Sequence, residues 1–235
     1  MFLESYCNVS GNKISFTRQQ GSDFAKKVAD DFNPLHDTDA KRFCIPGDLL
    51  FSLVLEKSGL SQEMKFTFSG MVSEGIELIF PMEINGQSAV VDSNNKEYLV
   101  IAASGQQTKK SETITSLTKA YVEFSGQTFP HILVALMAEN NVMINPARPM
   151  VMYESMTIHL DKIDFTTVQL ELAQSTLSID GKRGVADLIF NLISEGKKIG
   201  YGKKHMLLSG LRPYEQATID GIVDVYNDKK TQYHR

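Results

Sequence analysis

Tryptophan is absent from this chain of 235 residues, and cysteine occurs only twice, as Cys7 and Cys44. Two distant cysteines supply neither a disulfide framework nor a cysteine zinc cluster, and they fit a reducing cytoplasmic setting. Long apolar runs are missing too: each breaks on charge or Asn well short of the ~20 residues that span a bilayer. The N-terminus, Met1-Phe2-Leu3-Glu4-Ser5-Tyr6, carries an early acid and lacks the apolar core of a secretory leader. Neither sign of charge dominates. With 24 Lys and Arg against 28 Asp and Glu, the net charge of -4 offers no global field for nucleic acid. Aromatic residues do not alternate with basic ones in the way that stacks on bases. No Gly-x-Gly-x-x-Gly opens a helix, so neither a dinucleotide site nor a P-loop is expected. His159 and His205 fall in strand-like segments with no metal-ligand spacing. The sequence therefore predicts no metal, no cofactor, no nucleic-acid partner and no membrane span.

What remains is enough to fold. A hydrophobic content of 42% with 22% charged residues excludes disorder, and 235 residues suit one large domain or two small ones. Leu49-Leu50-Phe51-Ser52-Leu53-Val54-Leu55 is apolar almost all round, as in a helix buried on every side. Pro46 and Gly47 open it and Ser58-Gly59 closes it. Strand-like stretches follow: Met64 to Phe68, Ile76 to Ile84, Ser88 to Val91, Tyr98 to Ala103 and Ile114 to Phe124. The order restarts after Pro130 with a second apolar helix, Ile132 to Ala138. Strands are then predicted at Val151 to Leu160, Val168 to Ile179, Gly184 to Ile193 and Lys198 to Leu208. From Arg212 onward, Ile219, Ile222, Val223 and Tyr226 fall at the spacing of a packed terminal helix.

One segment points to chemistry. In Asp31-Phe32-Asn33-Pro34-Leu35-His36 a carboxylate and an imidazole stand five positions apart, the wrong spacing for one helix face. Pro34 drives Asn33 out of the α region, so the run forms a kinked loop that turns Asp31 and His36 toward a common point. Asn-Pro is also an ordinary turn dipeptide, and Asp an ordinary cap. Upstream, Ser22 is the candidate cap of an amphipathic helix in which Phe24, Val28 and Phe32 recur every four residues. The lysine pairs Lys109-Lys110, Lys197-Lys198 and Lys203-Lys204 fit solvated charge on strand edges, and His131 a polar surface residue.

Phe24-Ala25 followed by Asp31-x-Asn33-Pro34-x-His36 resembles the signature of the MaoC-like, (R)-specific enoyl-CoA hydratases of the hot-dog superfamily. Ile45-Pro46-Gly47-Asp48-Leu49-Leu50 lies where that family has Ile-Ala-His-Gly-Met-Leu at the start of its central helix. The resemblance covers roughly residues 21–60 and departs in two ways: the link from His36 to Gly47 is shorter, and Pro46 replaces a His. It implies an α+β fold, a tandem (double) hot-dog in which one long antiparallel sheet wraps two buried helices. The expected divisions are residues 1–124, with the motif, 125–211, without it, and 212–235, a helical tail. It further implies a bacterial enzyme that hydrates a trans-2-enoyl thioester of coenzyme A or acyl carrier protein, working as a monomeric pseudo-dimer or a homodimer. Asp31 and His36 would share the catalytic water and the Gly47 N–H would meet the enolate oxygen. Asn33, Phe32 and Leu50 would line the substrate. Asp48, next to that N–H, would oppose negative charge unless it pointed away or capped the helix. The alternative is a non-catalytic acyl-thioester binding or regulatory protein on the same scaffold, and thioesterase activity is a lesser third.

Overall fold

Alternation of buried and less buried residues runs through the strands Arg183–Ser194 and Lys197–Ser209, and it decides which side of the sheet receives the helices. The computed structural model describes residues 2–234. In chain order a 3-10 turn at Glu4–Tyr6 precedes β1 (Asn8–Ser10), β2 (Lys13–Ser15), α1 (Arg18–Lys27), a 3-10 turn at Pro34–His36 and α2 (Gly47–Ser58). Next come β3 (Leu60–Phe68), β4 (Leu78–Ile79), β5 (Gly86–Asp92), β6 (Glu97–Thr108) and α3 (Ser111–Gly126). An irregular turn at Thr128–Ile132 leads to α4 (Leu133–Glu139), β7 (Val142–Met143), β8 (Val151–Leu160) and β9 (Gln169–Asp180). The chain ends with β10 (Arg183–Ser194), β11 (Lys197–Ser209), β12 (Arg212–Pro213) and α5 (Gln216–Tyr233).

Ten strands form one sheet in the order β1-β2-β4-β5-β6-β3-β8-β11-β10-β9, and β7 pairs separately with β12. All pairings are antiparallel, including the central one, where Met64 faces Ile158 and Phe66 faces Met156. The architecture is α+β, as the sequence predicts.

Helix α2 is the most deeply buried element. Leu49, Leu50, Phe51, Leu53, Val54 and Leu55 are each at most 2% exposed, so no face is left for water. Phe51 meets Phe66 of β3 edge-on at 5.0 Å and Tyr121 of α3 at 4.8 Å. Tyr121 and Phe124 in turn reach Phe190 of β10. One core therefore runs across both helices and most of the sheet, with a smaller cluster beneath α4 and α5.

Five expectations are corrected. Ile114 to Phe124 is not a strand but the body of α3. Its β-branched residues suggested extension, yet Ile114, Leu117, Thr118, Tyr121, Val122 and Ser125 are buried at helical spacing. The second long buried helix is thus α3, not the segment after Pro130. There α4 is a short satellite that buries Leu133, Leu136 and Met137 and exposes Ala135 and Ala138. A division at 124/125 consequently falls inside α3. Helix α1 starts earlier than Ser22: Thr17 caps it, accepting from the Gln20 N–H while the Gln20 side chain accepts from the Thr17 N–H. The stretch from Ile76 to Ile84 pairs only over β4, two residues long. Among the described residues, no helix is long and apolar enough to cross a membrane.

Candidate active site

The loop after α1 is held at both ends before any side chain is considered. The Asp31 N–H bonds to the Ala25 carbonyl at 2.9 Å, after Asp30 has turned the chain through the left-handed region (φ 52°) that Asp tolerates better than most residues. Asn33 stays extended ahead of Pro34, and its side-chain oxygen accepts the Leu35 N–H at 3.1 Å. It braces the turn, as Asx residues do. Downstream, the Cys44 N–H returns to the Leu35 carbonyl at 3.0 Å. Arg18 of α1 donates to the carbonyls of Thr38 and Ala40 at 2.9 Å each. These contacts fold the short link between His36 and Gly47 back onto the helix entrance.

The motif's two chemical groups face each other. His36 Nδ1 lies 2.7 Å from the Cys44 carbonyl oxygen, which accepts only, so Nδ1 donates there and Nε2 is left for another partner. Nε2 points at Asp31 Oδ2, 4.0 Å away. The other Asp31 oxygen accepts the Asn33 N–H at 2.9 Å. The Asp31 and His36 side chains are 24% and 13% exposed. Burial pushes the Asp31 carboxyl above its usual range, while the neighbouring His36 and the Asn33 N–H pull it back in part.

Two expected substrate contacts lie elsewhere. Phe32 is 1% exposed and sits beneath α5, edge-on to Tyr226, Tyr233 and His234. Leu50 is 2% exposed in the central core. Neither offers surface to a ligand here, because each is packed on every side by protein. Gly47 begins α2, so its N–H has no partner within the helix. A Cβ at Gly47 would stand 3.0 Å from the Phe68 ring, which itself packs on Tyr153 at 4.5 Å.

The second half of the chain contributes residues that the sequence did not bring forward. Lys204 is 5% exposed and far from solvated charge: β11 alternates, and Gly202, Lys204, Met206 and Leu208 all point inward. That parity was the available signal. Its ammonium donates to Ser125 Oγ at 2.7 Å and Thr128 Oγ1 at 3.2 Å, and lies 4.7 Å above the Tyr153 ring. Ser125 Oγ donates in turn to Asp48 Oδ2 at 2.6 Å. Asp48 therefore neither caps α2 nor points to solvent, and its Oδ1 is buried with no hydrogen-bond partner among the described residues. Burial raises the Asp48 carboxyl and lowers the Lys204 ammonium, each partly offset by the other's charge. Tyr121 and Tyr153 hydroxyls join beside them, and burial holds both well above the ordinary phenol range.

Close approach brings the two sets together. Gly126, next to Ser125, packs so tightly that a Cβ there would lie 1.7 Å from the Ala29 carbonyl oxygen, two residues before Asp31. His131 is exposed, and His159 and His205 each bridge two carboxylates on the outer sheet face. Among the described residues no group of three or more His, Cys, Asp or Glu has the arrangement of a metal site.

The family described as "Protein of unknown function (DUF3581)" matches residues 1–217. The chain belongs to this family. Comparison with curated proteins gives no match. Among solved structures, the DUF3581 chain is similar to a protein of unknown function with hot dog fold from Alicyclobacillus acidocaldarius, at 7% identity and a TM-score of 0.47, covering 89% of this chain and 98% of the other. An acyl-CoA thioesterase II from Mycobacterium marinum gives 9% identity and 0.43, covering 92% and 99%. A MaoC-like dehydratase gives 10% identity and 0.44, covering 87% and 98%. Likeness at this level leaves the function of the DUF3581 chain to its own topology and side chains.

Proposed function

We propose that this protein acts on acyl thioesters, hydrating a trans-2-enoyl thioester of coenzyme A or acyl carrier protein to the (R)-3-hydroxyacyl thioester on a double hot-dog scaffold. The scaffold is supported by the strand order. Outward from the central β3–β8 pair, one side runs β6, β5, β4 and the other β11, β10, β9. Each side follows a buried helix, α2 or α3, so the halves repeat about the β3–β8 seam, with the division near Lys109-Lys110. A single chain then supplies the pairing that lone hot-dog domains obtain by dimerising.

The observation that carries the chemistry is the facing of His36 Nε2 and Asp31 Oδ2 at 4.0 Å. A water oxygen about 2.8 Å from each fits such a gap. Hydration needs that arrangement. The water loses a proton as its oxygen bonds to Cβ, the electron pair moves onto the thioester oxygen, and Cα then takes a proton. Asp31 and His36 divide these transfers within hydrogen-bond reach of one water, and the unpaired Gly47 N–H at the positive end of α2 suits the developing oxyanion.

Purified protein is expected to hydrate crotonyl-CoA or a longer trans-2-enoyl-CoA, with loss of enoyl absorbance and an (R) product. Asp31→Asn and His36→Ala should each lower turnover by roughly 100- to 10,000-fold, the usual cost of a positioned acid or base. Turnover that survives both changes places the chemistry elsewhere. Acyl-CoA binding without turnover at any chain length makes the protein a thioester-binding module.

A further inference from the structure

A carboxyl oxygen buried without a partner is costly unless something arrives to meet it. Asp48 Oδ1 is such an atom, and its surroundings specify what it offers. The Lys204 ammonium donates to Ser125 Oγ at 2.7 Å, so the serine's own proton is directed to Asp48 Oδ2, 2.6 Å away. Oδ2 is thereby used as an acceptor. The charged and titratable groups facing Asp48 are Lys204 of β11, Asp31 and His36 of the loop, Tyr121 of α3 and Tyr153 of β8. In that enclosure two carboxyl groups share one ammonium. Asp31 has a backbone N–H on one oxygen and the His36 ring opposite the other, an environment suited to the ionised form. Asp48 has a single donor, on Oδ2.

We propose that Asp48 is a further catalytic residue, a neutral carboxylic acid whose Oδ1–H donates a hydrogen bond to the thioester carbonyl oxygen, with Ser125 and Lys204 as its positioning residues. The proposal rests on the acyl-thioester reading of the site. It also resolves the conflict in having an acid beside the Gly47 N–H: an ionised carboxylate there would repel an enolate, whereas a protonated one joins the N–H as a second donor. No bond to Asp48 forms or breaks. As water adds to Cβ, the electron pair reaching the thioester oxygen is held by the two donors until Cα is protonated. Burial raises the Asp48 carboxyl, in the direction this role requires. A buried acid kept neutral so that it can donate to an enolate oxygen is an established use of an apolar site.

The test compares binding of butyryl-CoA with that of S-butyl-CoA, a thioether without the carbonyl, so it does not depend on turnover. Wild type is expected to favour butyryl-CoA by more than tenfold, about tenfold of it the worth of the Asp48 hydrogen bond. Asp48→Asn keeps an N–H donor of the same shape and should retain most of that preference, and Asp48→Ala should reduce it by about tenfold, to what the Gly47 N–H alone supplies. Raising the pH should erode the preference in wild type as Asp48 ionises, but not in Asp48→Asn. Ser125→Ala should move the pH of that erosion upward, since it removes a donor that favours the ionised form. Asn behaving like Ala makes Asp48 an ionised acceptor, and overturns the proposal. So does an equal preference in all three proteins, or none in wild type. The predicted binding pattern without wild-type hydration sinks the hydratase and keeps this role for Asp48; hydration that depends on Asp31 and His36 without the pattern does the reverse.

Discussion

At the scale of single residues, the site depends as much on what is missing from a side chain as on what is present. Gly126 lets the end of α3 touch the Ala29 backbone, and that contact sets the distance between Ser125–Asp48 and Asp31. Gly126→Ala puts a methyl where a carbonyl oxygen stands, and backbone cannot swing aside as a flexible side chain can. The expected cost is about 1–3 kcal/mol in urea unfolding, the range of overpacked sites. Thioester turnover should fall further than stability alone explains, because the Asp31 loop is the part that moves. Unchanged unfolding and turnover would show that the loop and α3 do not depend on this contact. The turn at Asp31-x-Asn33-Pro34-x-His36 was legible because proline geometry acts locally, whereas its reading as a catalytic pair came from the resemblance. Asp48, Ser125 and Lys204 were not legible as a set. They lie on three elements and meet only when the sheet closes, so no spacing in the chain relates them.

Among the elements, α5 has the clearest link to the site. Its Tyr226 hydroxyl accepts the Phe32 N–H at 3.1 Å, its rings cover Phe32, and Lys229 pairs with Asp37 at 2.6 Å. Asp37 also pairs with Lys26 of α1 at 3.0 Å, so one carboxylate fastens the loop to both helices. Burial works against its ionisation, yet the hydrogen bonds from Lys229 and Lys26 win and hold the carboxyl below its usual value. A lowered folded-state value stabilises above the unfolded carboxylate range, about pH 4, and the contribution disappears as pH falls through and below it. Asp37→Asn should therefore be less stable than wild type by on the order of 1 kcal/mol at pH 7, the scale of a partly exposed ion pair. Urea titrations at pH 7 and near pH 3 check this. The gap should narrow at the lower pH, and a gap that widens there contradicts the assignment. The terminal helix itself was predictable from Ile219, Ile222, Val223 and Tyr226, but its target was not, since an apolar stripe records burial without naming the surface it covers.

Taken as a whole molecule, the fold was legible where periodicity was unambiguous. The alternating strands β8 to β11 and the apolar α2 fall within two residues of expectation at each end. The second buried helix was misplaced because Ile114, Thr118 and Val122 are β-branched and lie in a helix through tertiary packing, around Tyr121 and Phe190. That error mattered, because α3 carries Ser125 to Asp48 and so joins the second half to the first. The proposed site accordingly draws on α2, α3 and β11 as well as on the motif. Its central claim is that Asp31 and His36 work on one water. A double-mutant cycle on enoyl-CoA hydration tests this most directly, comparing Asp31→Asn, His36→Ala and the double variant with wild type. Residues that share one proton-transfer sequence are grossly non-additive. The account predicts that the double variant is about as slow as the slower single one. Losses that multiply, or a single variant that keeps wild-type turnover, would contradict it.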